Sequence, residues 1–234
     1  MIAHQPMIAE MAARFKAIPS GTIYDTLDSM GYPNQCLALE IRPLNPGMRI
    51  AGVAFTVRGG REPRNHHDEP EMMLPKFNEW GMYKSLVPGS VIVMNSESER
   101  NCGHFGEMMS YTAKQFGATG IVIDGGIRDS RGLQQIPDWP VFVRYVSPIE
   151  GAHRFSANDF QVPIVLSGTL TSQVRIDPGD WIVGDETGLL CIPQGIALDV
   201  LLKAEGMEAL EEKTRAELAA GYPAAEVFAR YHRL

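Results

Sequence analysis

The chain lacks any long apolar run. Nothing in its 234 residues approaches the ~20 consecutive apolar positions of a membrane span. The opening stretch MIAHQPMIAEMAARFKAIPSG has neither the basic start nor the unbroken apolar centre of a secretory leader. Cysteine is scarce: Cys36, Cys102 and Cys191 form no CxxC pair and leave one thiol over in any disulfide scheme, which fits a reducing compartment. A soluble, cytoplasmic protein is expected, with no membrane partner. Basic blocks are missing too. Lys and Arg total 21 against 28 Asp and Glu, a formal charge of -7, with no Lys/Arg-rich helix, so a nucleic-acid partner has no electrostatic footprint. The glycines after the first strand do not spell GxGxxG, which argues against a nucleotide or methyl-donor fingerprint. What is present is 44% hydrophobic content, enough for one sizeable domain or one domain with appendages.

The most informative stretch is Cys102 to Leu133, CGHFGEMMSYTAKQFGATGIVIDGGIRDSRGL. Phe105, Met108, Met109, Thr112 and Phe116 recur at i, i+3, i+4, i+7 and i+11, which predicts a buried amphipathic helix ended by Gly117. Ile121-Val122-Ile123 is short and β-branched and reads as a buried strand running into a glycine turn at Asp124-Gly125-Gly126. Arg128 and Asp129 follow, where the strand-to-helix loop of an α/β protein presents its chemistry. Glu107 stands one helix and one strand earlier. A helix followed by a returning strand brings its ends to one layer edge, so Glu107, Arg128 and Asp129 can share a cleft.

These residue types suit an α-keto acid. An Arg fork grips carboxylates and enolates, carboxylate oxygens hold a hard divalent cation, and N–H groups at a helix start bind an anion. The plainer alternative stays open, in which Arg128 and Asp129 merely cap and bridge a surface turn. His104 lies just ahead of the helix, beside the proposed carboxylate site, and is a candidate substrate contact. His153 and His232 read as structural.

Elsewhere, Ile8, Met11, Ala12 and Phe15 mark a short helix stopped at Pro19-Ser20-Gly21, and a second helix runs from Thr22 to Met30. Three Pro-Gly turns, at Pro46-Gly47, Pro88-Gly89 and Pro178-Gly179, launch strands at Arg49–Val57, Val91–Met94 and Trp181–Val183. The polar stretch from Arg58 to Pro70 reads as a loop. Its His66-His67-Asp68-Glu69 run carries ligand types, but adjacent side chains do not converge on one ion unaided and match no zinc spacing. A substrate-contacting lid is the better functional reading, a solvated loop the plainer one. Further strands fall at Val141–Val143, at Ile164–Leu166 beyond a loop from Gly151 to Asp159, and at Leu189–Ile192 after a hairpin turn at Asp185–Gly188. Residues 1–195 thus read as one α/β domain, an α+β layered arrangement with a mixed central sheet. Residues 196–234 read as a helical extension packing on that domain or on a neighbouring subunit. It holds a long helix from Ile196 to Ala220, interrupted at Gly206, and a last helix from Ala224 to Tyr231.

Gly106-Glu107, twenty intervening residues, then Arg128-Asp129, with Gly120-Ile121-Val122-Ile123-Asp124-Gly125 leading into the Arg, resembles the signature of the RraA-like family. That family includes class II pyruvate aldolases acting on 4-hydroxy-4-methyl-2-oxoglutarate and 4-carboxy-4-hydroxy-2-oxoadipate. Arg42-Pro43-Leu44 through Gly52–Val57, Pro88–Val93, and Pro178-Gly179-Asp180 through Cys191-Ile192-Pro193 resemble family segments in family order. The resemblance implies a swivelling β/β/α sandwich assembled as a ring-shaped homotrimer, or a homohexamer of stacked rings. It also implies Mg²⁺ or Mn²⁺ held directly by Asp129, with Glu107 acting through water. Arg128 would bind the keto oxygen and steady the enolate, and backbone amides of Gly106, Glu107, Met108 and Met109 would hold the substrate carboxylate. One of Glu205, Glu208, Glu211 or Glu212 would reach a neighbour's metal site, or each would simply line a solvated helix face. Family members often carry an acid three positions after the Asp, where this chain has Gly132.

The implied reaction is cleavage of a 4-hydroxy-2-oxo di- or tricarboxylate to pyruvate and a second keto acid, with oxaloacetate decarboxylation as a side activity. Two alternatives remain. One is a non-catalytic protein-binding regulator of RNA processing, a branch that tends to lack the acid at the Glu107 position. The other is a sibling enzyme applying the same metal-enolate chemistry to another substrate.

Overall fold

The computed structural model describes residues 5–62, 78–97, 99–152 and 154–232. Two helices, α1 (Gln5–Ala17) and α2 (Ser20–Ser29), and a two-residue strand β1 (Arg42–Pro43) lead into four strands: β2 (Ile50–Arg61), β3 (Ser90–Asn95), β4 (Ala118–Ile127) and β5 (Val141–Val146). These four pair in parallel in chain order. Parallel neighbours need crossovers, and α3 (Glu79–Ser85), α4 (Glu107–Gln115) and α5 (Ser130–Leu133) supply them. Next come β6 (Phe155–Phe160), β7 (Ile164–Ser167), β8 (Gln173–Ile176), β9 (Trp181–Gly184) and β10 (Leu189–Ile192), then the helices α6 (Ala197–Ala219) and α7 (Ala224–Tyr231). The sheet order is β1-β5-β4-β3-β2-β9-β10, with β6 on the far half of β2, and β7-β8 form a separate hairpin. The sheet is mixed, because β1, β6, β9 and β10 all pair antiparallel.

Period-two alternation along the parallel strands builds the layers. Phe55, Val57, Ile92, Met94, Ile121, Ile123, Val141 and Val143 pack with Met82 and Tyr83 of α3, Ala113 of α4 and Leu133 of α5. The intervening Ala54, Val91, Val93, Val122 and Phe142 meet Ile164, Leu166, Val174 and Ile176 of the β7-β8 hairpin on the opposite face. The result is a β/β/α sandwich. A third cluster lays α1, α2 and α6 on β9 and β10, through Phe15, Ile23, Leu27, Val200 and Leu201 against Trp181, Val183 and Ile192. No helix among the described residues is long and apolar enough to cross a membrane.

The three Pro-Gly turns behave as their chemistry demands, with Gly47, Gly89 and Gly179 at φ +79°, +92° and +94°. Several expectations need correction. The stretch from Arg58 is not a loop at its start, because β2 runs on to Arg61, and the supposed Gly151 to Asp159 loop contains the strand, β6, that pairs with it. The pairing shifts register at a bulge at Arg58/Gly59, and the Phe155 ring packs where a Cβ on Gly59 would strike it. The His66-His67-Asp68-Glu69 run and His153 lie outside the described residues. Asp124-Gly125-Gly126 is no turn. β4 continues through it to Ile127, with Gly126 opposite Tyr145 after a register shift, and Gly126 is required because a Cβ there would collide with the Tyr145 ring. In α4 the buried face is Ser110 and Ala113 flanked by Met109 and Phe116, while Met108 is 66% exposed. The apolar spacing therefore marked two faces, one toward the core and one toward solvent. Gly206 does not interrupt α6; a single exposed Gly costs about 1 kcal/mol, which a well-packed helix absorbs.

Candidate active site

β4 carries the chain to the C-terminal edge of the sheet and delivers Arg128, while the segment before α4 comes back to the same edge. The Arg128 N–H donates to the Phe105 carbonyl at 2.9 Å, and the Glu107 N–H donates to Asp129 Oδ2 at 3.3 Å. The strand end and helix start are thus joined directly. Asp129 sits at φ 56°, ψ 38°, a left-handed conformation that Asp tolerates better than most residues and that turns its side chain back toward α4. Such a conformation at a non-glycine residue is a local cost found preferentially at functional sites. Gly106 caps α4 in an extended conformation (φ -139°, ψ -172°). A Cβ there would stand 2.7 Å from Asp129 Oδ2, so the missing side chain is what gives the carboxylate its place.

Arg128 and Asp129 open onto a cavity of about 480 Å³ that His104, Gly106, Met108 and Met109 also line. Glu107 is brought to this edge but is not in the lining. Its carboxylate turns over Gly132, where a Cβ would collide with it. The glycine at the position where family members often carry an acid is therefore the room that Glu107 occupies. Gly103 plays the same part for Arg128, whose side-chain stem crosses it. The Arg128 guanidinium pairs with Glu150 at 3.3 Å, with the two side chains 33% and 66% exposed. An exposed pair of this kind is worth about 0–1 kcal/mol, so a ligand carboxylate or enolate can displace it cheaply.

His104 is placed differently from the expectation of a direct substrate contact. Its side chain is wholly buried, Nδ1 lies 3.0 Å from both the Gly126 carbonyl oxygen and the Gly126 nitrogen, and Nε2 lies 3.0 Å from Glu99 Oε2. The ring stands edge-on to Phe155 at 4.4 Å, and burial pushes its pKa down, outweighing Gly126 and Glu99. Its nitrogens support the wall; a polar contact with a ligand would require the ring to leave its place. Burial and the Glu99 carboxylate push the Cys102 thiol beside it up to about 12, so that as a free thiol it stays protonated.

Sequence reasoning did not single out Glu79, Glu150, Phe155 and Ser156, which line the same cavity. Glu150 follows β5, the strand beside β4, so the rule that ligands lie beyond the carboxyl ends of parallel strands points to it. The other three come from elements with no clean apolar period. Of the C-terminal acids, Glu205 takes Arg14 through two 2.7 Å bonds. Glu208 and Glu211 accept from Thr22 Oγ1 at 3.0 and 3.3 Å. Three of those four candidates are thus engaged inside their own chain, and Glu212 is exposed.

A parallel-centred sheet clad by helices on one face and by a β-hairpin on the other, with an Arg-Asp pair at a strand end beside a helix start, defines a swivelling β/β/α protein with an anion-ready edge. The chain belongs to the RraA-like family, whose model, described as Aldolase/RraA, matches residues 20–191. It is 32% identical over 203 residues to a Halalkalibacterium halodurans protein named "Putative 4-hydroxy-4-methyl-2-oxoglutarate aldolase", covering 87% of this chain and 86% of that one. It is 30% identical over 203 residues to protein DlpA of Legionella pneumophila, covering 86% of this chain but spanning only 30% of the length of DlpA. Among solved structures, Streptomyces coelicolor RraAS2, described as an unusual member of the RNase ES inhibitor RraA protein family, superposes with a TM-score of 0.75 over 89% of this chain and 98% of that one. At 22% identity that likeness is one of fold.

Proposed function

We propose that this chain is a divalent-metal-dependent pyruvate aldolase that cleaves a 4-hydroxy-2-oxo di- or tricarboxylate between C3 and C4. The observation that carries the reading is the juxtaposition of Arg128 and Asp129 with the N-terminus of α4 on one cavity. The relatives named as aldolases support it.

The residues fit a hard cation. Asp129 offers carboxylate oxygens over the cradle left by Gly106, the Glu107 N–H meets one of them while its own carboxylate lies over Gly132, and Mg²⁺ or Mn²⁺ takes one or two carboxylates together with substrate oxygens. Asp129 would hold the ion directly, with Glu107 in support. When bound, the ion polarises the 2-keto group. The first N–H groups of α4 lack intrahelical acceptors and receive the substrate carboxylate, which the helix dipole also favours. Arg128 exchanges Glu150 for the keto oxygen and stabilises the negative charge that grows there as the C3–C4 bond breaks. From its position over Gly132, outside the cavity lining, Glu107 would act on the C4 hydroxyl proton through water. The bond electrons pass to the enolate, the C4 carbinol becomes the second keto acid, and protonation at C3 gives pyruvate. Oxaloacetate would lose CO₂ through the same enolate. A ring-shaped homotrimer, or a hexamer of two rings, is the assembly that goes with this reading.

Pyruvate release from 4-hydroxy-4-methyl-2-oxoglutarate and from oxaloacetate, with Mg²⁺ or Mn²⁺ and again after chelation, tests it. Metal-dependent release from the first is expected. Release from oxaloacetate alone would keep the enolate site and reject the substrate; no release from either would overturn the aldolase reading and leave a sibling enzyme acting on another substrate and a protein-binding regulator both standing.

A further inference from the structure

Behind the cavity wall, a carboxylate oxygen of Glu99, the sulfur of Cys102 and a ring nitrogen of His104 lie within 4.8 Å of one another, the only such trio of potential metal ligands among the described residues. All three residues are buried, at 2%, 0% and 5% exposure. A tight turn supplies them. The Asn101 and Cys102 N–H groups donate to the Glu99 carboxylate at 2.9 and 3.2 Å, and Cys102 Sγ lies 3.1 Å from Glu99 Oε2. His104 Nε2 is 3.0 Å from that same oxygen, yet it makes no aligned hydrogen bond there or elsewhere. A buried nitrogen without an aligned partner is uncommon and asks for a cause. Nδ1 stands 3.0 Å from both the Gly126 nitrogen and the Gly126 carbonyl oxygen. When it accepts from the N–H, Nε2–H faces Glu99; when Nδ1–H donates to the carbonyl, the tautomer a metal would select, Nε2 presents a lone pair to the sulfur and the carboxylate. That is how a metal-ligating imidazole is normally held, with its second nitrogen on a backbone carbonyl or carboxylate.

We propose that Glu99, Cys102 and His104 hold a borderline-soft divalent transition-metal ion of the zinc class, separate from any ion at Asp129. The donor set is sulfur, nitrogen and oxygen, which suits zinc and not the all-oxygen preference of Mg²⁺. Loading releases the thiol proton to solvent, so that a thiolate, a carboxylate and a neutral imidazole balance the dication and no net charge is buried. Three protein ligands leave the fourth tetrahedral position to a small ligand. Because His104 also touches Gly126, two residues before Arg128, the ion would tie the turn at 99–104 to the strand end that delivers the guanidinium.

The test uses the full chain, stripped with chelator and titrated with Co²⁺. About one ion per chain with thiolate-to-cobalt charge-transfer absorption is expected, displaced by Zn²⁺, with a Zn²⁺-dependent rise in melting temperature. The absorption should survive Asp129→Asn and vanish in Cys102→Ala. His104→Gln, which keeps the thiol, should weaken or shift it, and serves if Cys102→Ala fails to fold. Folded wild-type protein without the charge-transfer band would overturn the proposal. So would a band that persists unchanged in Cys102→Ala or His104→Gln, since Cys36 or Cys191 would then be its source.

Discussion

At the helical end of the molecule, Asp185 accepts from the Ser20 N–H at 2.9 Å, the Ser20 hydroxyl at 2.7 Å and the Thr187 N–H at 2.8 Å, and Glu205 takes Arg14 through paired 2.7 Å bonds. At the cavity end, the Glu107 N–H reaches Asp129 at 3.3 Å and Arg128 meets Glu150 at 3.3 Å. An ionised carboxylate can accept about four hydrogen bonds, and short contacts to charged groups are the strong ones. Asp185 is therefore committed to joining α2 to the end of β9, and Glu205 to joining α6 to α1. Asp129 and Arg128 keep capacity for a ligand. The same residue types hold the fold together at one end and are available for chemistry at the other, and what separates them is how many close donors or acceptors each already has.

Substitutions at the two ends should separate accordingly. Arg128→Ala and Asp129→Asn are expected to lower kcat/KM for pyruvate release by ~10²-fold or more, the scale of losing one group that stabilises developing charge. Asn is chosen at 129 because it also tolerates the left-handed backbone. Melting temperatures should move by no more than about 2–4 °C, since the exposed Arg128 pair contributes about 0–1 kcal/mol. A variant that unfolds instead would make the cavity end structural and erase the contrast. Gly132→Ala should sharpen it. The new Cβ meets only the end of the Glu107 side chain, so α5 can gain up to about 1 kcal/mol from the better helix former while the carboxylate is displaced. Activity is expected to fall between a few-fold and ~10²-fold with melting temperature unchanged or raised. Unchanged activity would show that the placement of Glu107 is immaterial.

Much of this division was legible in the chain itself. The parallel strands carry β-branched runs and the Pro-Gly turns announce where strands begin, because positive φ at the second turn position needs glycine. The Arg128-Asp129 pair was readable from its place after a buried strand. β6 was not, because Phe155–Phe160 is only partly buried and shows no two-residue period; its existence depends on a pairing with β2 that spans about a hundred residues of chain. Glycines misled in both directions. Gly125 and Gly126 look like a turn but are there so that His104 and Tyr145 can approach β4. Gly132 looks like a missing acid and instead accommodates one. Close approach between distant segments leaves no local pattern, and that is why the wall of the cavity was harder to read than its charged rim.

A smaller effect is expected from Asp185→Ala, which removes acceptors for the first turn of α2. Loss of a cap costs about 1–2 kcal/mol, or roughly 2–8 °C in melting temperature at this chain length. Burial pushes the Asp185 carboxyl up, but the Ser20 and Thr187 hydrogen bonds outweigh it and hold the pKa below its ordinary value. A depressed folded-state pKa contributes stability that is complete above the unfolded value, about 3.9, and is lost as pH falls through the folded one. The gap in melting temperature between wild type and variant should therefore stay constant from about pH 7 to 5 and close below about pH 4. A gap that persists at lower pH would mean the variant acts through packing and not through the carboxylate.

The smallest effect should come from Glu205→Gln. The bonds from Arg14 hold the Glu205 pKa below the ordinary range, and the partner shifts in the complementary direction, since the same contact is the chief cause that raises the Arg14 pKa. Both side chains nevertheless remain about a third exposed, at 31% and 36%, so solvent screens the pair. Its contribution should therefore shrink as salt shortens the Debye length from about 10 Å at 0.1 M to about 3 Å at 1 M, whereas the buried Asp185 cap should hardly respond. Melting curves of the two variants against wild type at both salt levels check this. If Glu205→Gln proved the more damaging and salt-insensitive of the two, the α1–α6 contact would be a buried anchor, and the acids of α6 would belong to the fold even more firmly than their geometry states.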